Sequence, residues 1–246
     1  MIKNLCNLAT VLSRRHALRA ILGWPKFSLT SFNMVSDLSR QGLAPKTVID
    51  VGANVGQFAV ASAKIFADVS VHSFEPNPEC AATLNKHVGP LGNVVVYPIA
   101  LGEEEGEVDF HVNSHSHSSS ILPLSERHLE AFPDAREIGS IQVKVSTLDK
   151  VFSNIELAQP ILLKLDVQGY EAQALRGGAE MLKRVDYVLL EASFKPMYEG
   201  EMLFMDVVRL MDSYGFSLLR PAGWLTDPNT DEIIQMDALF QRRQQG

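Results

Sequence analysis

Acidic residues accompany three short apolar runs of this chain, and together they could hold one polar ligand. Asp50 stands in a run of Val and Ile, Glu75 follows the next apolar run, and Asp166 follows Ile-Leu-Leu-Lys-Leu. Runs of this kind predict buried strands. Because ligands of open parallel sheets bind outside the carboxyl ends of the strands, we expect the three carboxylates to converge at one rim.

A glycine turn follows the first of these acids and predicts a ligand-binding loop. Gly52 and Gly56 are spaced G-x-x-x-G between the first strand and a helix that begins at Gln57. A dinucleotide site needs G-x-G-x-x-G, and a P-loop needs Lys followed by Ser or Thr where Gln57 and Phe58 stand. S-adenosylmethionine fits better, because its amino-acid end carries a cation that Asp50 could accept. A plain strand-to-helix connection is the alternative.

Glu75 ends the second predicted strand, 25 residues after Asp50. In dinucleotide sites an acid at this place accepts hydrogen bonds from ribose hydroxyls, which any nucleoside cofactor also offers. The alternative is a solvated acid that caps the helix starting near Pro78. The glycine turn and the acid occur together at one β-α-β spacing, and this favours ribose binding.

Three motifs together resemble the FkbM family of S-adenosylmethionine-dependent methyltransferases. The motifs are Asp50-Val-Gly-Ala-Asn-Val-Gly56, Ser73-Phe-Glu-Pro-Asn77, and Leu163-Lys-Leu-Asp-Val-Gln-Gly169 followed by Glu171. The resemblance extends from Thr47 to Arg242 and implies an α/β, Rossmann-like class I methyltransferase fold. Such a fold has a mostly parallel seven-stranded sheet with an antiparallel closing strand, here with a β insertion. Gln168 stands where the family pattern usually has Glu, which puts a base or metal role of that position in doubt.

The resemblance also implies S-adenosylmethionine as the cofactor and O-methylation of a small-molecule or sugar hydroxyl as the reaction. Asp166 could accept the acceptor's proton as well as contact the cofactor, with a helix N-cap or structural acid as the alternative. Glu191 ends another apolar strand and is a second candidate base or acceptor ligand. The residues expected to bind the cofactor are Asp50, Gly52, Asn54, Gly56, Phe58, Glu75, Pro76, Ala100, Leu101 and Asp166.

Histidines stand at positions 111, 115 and 117. Their H-x3-H-x-H spacing is not a zinc pattern, so we expect no metal. His115 or His117 could serve as a general base, because a neutral imidazole takes a proton near pH 7. His111 is expected on an outward position of a strand at residues 107–113. That strand and one at residues 141–146 predict an antiparallel pair, joined by a long loop of a functional insertion.

The 246 residues suit one α/β domain at residues 46–246, preceded by a helical appendage at residues 1–45. Since the whole chain carries −7 and residues 1–26 carry +5, the remainder carries −12, which disfavours nucleic-acid partners. The basic segment predicts an amphipathic helix that could touch an anionic membrane, although packing on the domain or on a second subunit is favoured. The two cysteines form no disulfide framework and no apolar run reaches membrane-spanning length, so we expect a cytoplasmic protein.

Two further functions stay open on the sequence. A nicotinamide-dependent oxidoreductase could use a similar sheet, although the third glycine of its turn is missing. A non-catalytic cofactor-binding module is compatible with Gln168. In each case the apolar runs at residues 216–220 and 237–242 predict an antiparallel closing hairpin.

Overall fold

The computed structural model describes residues 20–21 and 23–243. Most of the predicted basic amphipathic helix lies outside the described residues, although residues 20, 21 and 23 are helical. Within the described part, no helix combines the length and hydropathy that crossing a bilayer requires.

The described part contains ten strands and eight α-helices. The strands are β1 (Thr47–Val51), β2 (Ser70–Phe74), β3 (Val94–Tyr97), β4 (Ala100–Leu101), β5 (Gly106–Asn113), β6 (Glu137–Ser146), β7 (Ile161–Leu165), β8 (Tyr187–Ser193), β9 (Phe216–Thr226) and β10 (Ile233–Arg242). The helices are α1 (Leu29–Arg40), α2 (Gln57–Ile65), α3 (Pro78–Val88), α4 (Glu126–Ala131), α5 (Leu148–Val151), α6 (Glu171–Arg176), α7 (Ala179–Leu182) and α8 (Phe204–Ser213).

Seven strands form the main sheet, in the order β3-β2-β1-β7-β8-β10-β9. β10 runs antiparallel to both of its neighbours, and the strands from β3 to β8 pair in parallel. This order confirms the predicted α/β fold, with a mostly parallel seven-stranded sheet and an antiparallel closing strand. The predicted β insertion is also confirmed, because β4, β6 and β5 form a second, three-stranded sheet.

Alternate residues of the central strands enter two separate cores, as the pleat requires. In β7, Leu163 and Leu165 pack with the core that contains α6, α7 and α8, whereas Leu162 packs with the core formed by α1, α2 and α3. Every residue of β1 and β7 is buried. Lys164 therefore points to the side of the sheet covered by α1, α2 and α3, the same side as its direct β1 neighbour Asp50.

The predicted helix at residues 170–185 divides into α6 and α7 at Gly177 and Gly178, as expected from the glycine pair. A Cβ atom at Gly177 would lie 1.9 Å from the carbonyl oxygen of Gly102, so the backbone segments at these two residues lie too close together for a side chain at residue 177. The glycine pair thus joins the main sheet's helices to the start of the insertion.

Two predicted boundaries were wrong, those of the insertion and those of the closing strands. Ala100 and Leu101 lie after β3, which the chain leaves at Pro98, and they pair with β6. The long loop of the insertion contains α4, and β6 begins at residue 137. The closing strands are longer than predicted because register shifts in the β9–β10 pair accommodate Pro221 and Gly223 without ending either strand.

Candidate functional site

A cavity of about 880 Å³ lies at the carboxyl edge of the parallel strands, between the main sheet, α1 and the insertion. This volume is near the upper end of the range for small-molecule sites, so it has room for more than one small ligand. The predicted site residues that line it are Gly52, Asn54, Phe58, Glu75, Pro76, Ala100, Leu101, Asp166 and Glu191. Asp50 and Gly56, which we also expected at the cofactor, are not among the lining residues.

The glycine turn lies directly against the ends of the two strands beside β1. Gly52 has φ +80°, and a Cβ atom there would stand 1.8 Å from the carbonyl oxygen of Asp166. Its amide donates to the carbonyl of Phe74, as does the amide of Ala53. Glycine at position 52 therefore lets the turn pack against the end of β7, where a side chain would clash with the backbone. Gly56, with φ +98°, instead gives room to the side chain of Leu84 and so lets α2 and α3 pack together.

Glu75 is held at the cavity by backbone amides. Its two carboxylate oxygens accept from the N–H of Asn54 at 2.8 Å and the N–H of Asn77 at 2.9 Å, and only 6% of the residue is exposed. Burial raises the pKa of Glu75 to about 7, although both amides act to lower it. The alternative of a solvated helix cap does not hold, because the N-cap of α3 is Asn77.

Asp50 lies behind the cavity wall, fully buried, and its partner is Lys164. The ammonium nitrogen is 3.2 Å from an oxygen of Asp50 and 3.3 Å from an oxygen of Asp166, and it also lies over the ring of Phe58. Burial lowers the pKa of Lys164, but the two carboxylates outweigh burial and hold it above its usual value. The expected direct contact of Asp50 with the cofactor's cation is thus replaced by a buried ion pair. The two residues meet because they are direct neighbours across β1 and β7.

Two more acids stand beside Asp166. Gln168 donates through its side-chain amide to Asp166 at 2.6 Å and to Glu191 at 3.0 Å, and Gln235 also donates to Glu191 at 3.0 Å. Burial, and then the carboxylate of Asp166, raise the pKa of Glu191 well above its usual value. The same two causes raise the pKa of Asp237 to about 6.

Asp237 was missed by sequence reasoning. It pairs directly with Glu191 on one side and with Gly223 on the other, so the two carboxyl groups share one face of the sheet. A Cβ atom at Gly223 would lie 2.4 Å from a carboxylate oxygen of Asp237, and the glycine therefore makes room for the acid. A glycine within a strand is the sequence signal that could have pointed to it.

Comparison with known families matches the part of the chain that supplies the predicted site residues. The model of the methyltransferase FkbM domain matches residues 50–218, which include the glycine turn, Glu75, Asp166 and Glu191.

The chain belongs to the FkbM methyltransferase family.

Its membership confirms the predicted family and shows that the protein is a methyltransferase, so the oxidoreductase alternative is set aside. The FkbM methyltransferase is 28% identical over 182 residues to the 2-O-methyltransferase NoeI of Sinorhizobium fredii, covering 72% of this chain and 75% of that protein. It is 28% identical over 145 residues to the hexuronic acid methyltransferase AglP of Haloferax volcanii, covering 58% of this chain and 54% of that protein.

Among solved structures, a precorrin-6y C5,15-methyltransferase from Geobacter metallireducens aligns with a TM-score of 0.46 at 10% identity. That alignment covers 85% of this chain and 88% of the other. The fold is assigned on the strand order and the family match.

The insertion of the FkbM methyltransferase closes over the glycine turn. The side-chain amide of Asn54 lies 3.3 Å from the hydroxyl of Ser116 and 3.5 Å from a ring nitrogen of His117. His115 and His117 both line the cavity, whereas His111 pairs with Glu137 at 3.0 Å outside it. In the part that the structure describes, no group of three or more His, Cys, Asp or Glu residues could hold a metal ion.

The far end of the cavity contains residues that sequence reasoning did not select. Trp224 lines it with 64% of its surface exposed, beside Leu225 and Asn229. His128 also lines it, and burial lowers the pKa of that imidazole. Neither Trp224 nor His128 belongs to a sequence motif. Trp224 reaches the cavity because the end of β9 in the β9–β10 hairpin lies beside it.

Proposed function

We propose that this FkbM methyltransferase binds S-adenosylmethionine in the cavity and methylates a hydroxyl group of a sugar. The observation that carries the proposal is the convergence of Gly52, Glu75 and Asp166 on one cavity within the region matched by the family. The relatives named 2-O-methyltransferase and hexuronic acid methyltransferase support a sugar as the acceptor.

The residues present fit the cofactor. Gly52 and Asn54 of the turn line the cavity, so a ligand there can lie along the turn beside the end of β7. The carboxylate of Glu75 has each oxygen occupied by one amide, and the second lone pair of each remains for ribose hydroxyls. Ala100 and Leu101 offer a buried apolar surface to the adenine. When bound, S-adenosylmethionine supplies a methyl group that its sulfonium already activates toward an oxygen nucleophile.

Asp166 is the group best placed to accept the acceptor's proton. Its side chain is 38% exposed in the cavity, and the ammonium of Lys164 lies 3.3 Å from one of its oxygens. Asp166 would accept the proton of the acceptor hydroxyl as that oxygen takes up the methyl group that the bound cofactor would supply. Glu191 is the alternative base.

The far end of the cavity suits a sugar ring. A tryptophan presents a large apolar face and one N–H donor, and a pyranose ring has an apolar C–H face that can lie against it. Trp224 is the exposed aromatic at that end, and Asn229 offers an amide group to sugar hydroxyls. Sites of this kind combine an apolar wall with a few polar groups that fix orientation.

The proposal is tested with S-adenosylmethionine carrying a labelled methyl group and a panel of methyl hexopyranosides. We expect labelled ether products with the wild-type enzyme and a kcat lower by about 10²- to 10⁴-fold in Asp166→Asn. Trp224→Ala should raise the KM for the sugar about tenfold, or about 1.4 kcal/mol, and leave the cofactor Kd unchanged.

Ile138→Ala is the matched control for the tryptophan variant, because Ile138 is equally exposed but does not line the cavity. A missing thermal shift with millimolar S-adenosylmethionine would count against the cofactor. Cofactor binding without transfer to any sugar of the panel would count against the acceptor.

A further inference from the structure

The side chain of Gln168 bridges two carboxylates of the proposed active site. An amide nitrogen carries two protons, and here each has a different acceptor: an oxygen of Asp166 at 2.6 Å and an oxygen of Glu191 at 3.0 Å. Hydrogen bonds to charged acceptors are stronger than those between neutral groups. The neutral side chain of Gln168 thus donates one hydrogen bond to Asp166 and one to Glu191.

Tyr198 fixes which end of the amide faces the acids. Its hydroxyl donates to the side-chain oxygen of Gln168 at 2.5 Å, and the residue is fully buried. Burial and the surrounding carboxylates raise the pKa of Tyr198 well above its usual value, so the phenol keeps its proton and remains a donor. A flipped amide would turn its oxygen toward two carboxylates and lose both donated bonds.

The backbone at this position is held from both sides. Gln168 has φ +59°, a left-handed conformation that costs an ordinary residue about 1 kcal/mol or more. The hydroxyl of Ser120, from the insertion, donates to the carbonyl oxygen of Gln168 at 2.7 Å. On the other side, the carboxylate of Glu171 accepts from the amide of Val167 at 2.9 Å. These contacts stabilise the left-handed backbone conformation of Gln168 and so fix the position of its side-chain amide.

The chemical consequence follows from how paired carboxylates behave. Two acids that share a site without a donor between them tend to share one proton, and neither is then a dependable base. The amide donates to both acids and opposes the burial that raises the pKa of Glu191, whereas the ammonium of Lys164 stands within ion-pair distance of Asp166 alone. The other titratable groups that face this pair are Asp50, Glu171, Tyr198 and Asp237.

We propose that Gln168 is a positioning residue for methyl transfer, holding Asp166 apart from Glu191 in the orientation and charge state in which it accepts the acceptor's proton. This inference rests on the proposed function for its catalytic consequence. The bridge itself can be tested without any turnover.

The test uses Gln168→Met, which keeps the size of the side chain without its donors. Gln142→Met is the matched control, because Gln142 donates to Asp109 in an exposed amide–carboxylate bond outside the cavity. For Gln168→Met we expect kcat/KM about tenfold below wild type at pH 6 and close to it at pH 9. Tyr198→Phe should show a smaller version of the Gln168→Met profile, and the control should match wild type.

Equilibrium unfolding between pH 5 and 9 provides the second measurement. The stability lost in Gln168→Met should grow with pH, because more carboxylate charge then lacks its donor, whereas the control should lose little at any pH. Losses of activity and stability that are equal at all pH values would show a merely structural role and overturn the inference. Lack of methyl transfer by the wild type, together with the expected pH-dependent stability, would refute the proposed function and leave the bridge supported.

Discussion

Replacing Gly52 with alanine tests whether the turn lies as close to the end of β7 as the structure indicates. The new Cβ atom would stand 1.8 Å from the carbonyl oxygen of Asp166, whereas real Cβ contacts are not shorter than 3.0 Å. The ends of β1 and β7 would therefore have to separate by about 1.2 Å, the difference between these two distances. A displacement of that size in a site can cost about a hundredfold in function.

The expected cost has two parts that a second variant separates. An L-residue at φ +80° costs about 1–2 kcal/mol, and forced overpacking adds about 1–3 kcal/mol. Gly92 has φ +75° and no atom within 4 Å of the place that a Cβ atom would occupy, so Gly92→Ala should show the first part alone. We expect Gly52→Ala to lose about 2–5 kcal/mol of unfolding free energy and Gly92→Ala about 1–2 kcal/mol.

The assay is urea unfolding of both variants, followed by calorimetric titration with S-adenosylmethionine under conditions where both are folded. Gly92→Ala should bind as the wild type does, and Gly52→Ala should bind about a hundredfold more weakly. If the two variants were equally stable and bound the cofactor equally well, the close contact between Gly52 and Asp166 would be refuted.

Three further predictions concern the charged groups. Because the pKa of Glu75 is raised to about 7, its contribution to stability is present below its unfolded value of 4.5 and is lost as pH rises through 7. Glu75→Gln should therefore gain stability relative to wild type between pH 5 and pH 8 while binding the cofactor more weakly; a pH-independent difference in unfolding free energy would contradict this. Lys164→Met should lose about 3–5 kcal/mol in urea unfolding, because it leaves the buried carboxylate of Asp50 without its cation, and adding Asp50→Asn should recover much of the loss. A double variant no more stable than the single one would argue against the pair. Finally, a methyl glucuronoside should be methylated about tenfold less efficiently than the methyl glucoside, because Asp166 and Asp237 line the cavity and repel a third carboxylate; equal kcat/KM values for the two would show that these acids do not face the acceptor.

The parallel strands and the cavity edge could be predicted because local patterns encode them, whereas the seven-stranded arrangement was implied by the family resemblance. Apolar runs followed by an acid or a glycine turn identify parallel strands and their carboxyl ends, and Gly52, Glu75 and Asp166 do line one cavity. The burial of Asp50 could not be predicted in the same way. Both faces of β1 are covered, so its sequence does not show which side chains point to the cavity.

Pairing between distant strands accounts for the rest. Lys164 stands in an apolar run of the sequence, but its partner follows from the β1–β7 register, which no local pattern specifies. Asp237 meets Glu191 only through the register of β10 on β8. Pro221 and Gly223 made β9 seem to end early, although the bulged pairing with β10 continues past them.

A crystal structure with bound S-adenosylhomocysteine would test the central claim most directly. We predict that the ribose hydroxyls lie within hydrogen-bond distance of the Glu75 carboxylate. The amino-acid end should lie along Gly52, and the sulfur should face Asp166. Density for the nucleoside anywhere other than this cavity, or a ribose that does not reach Glu75, would contradict the account.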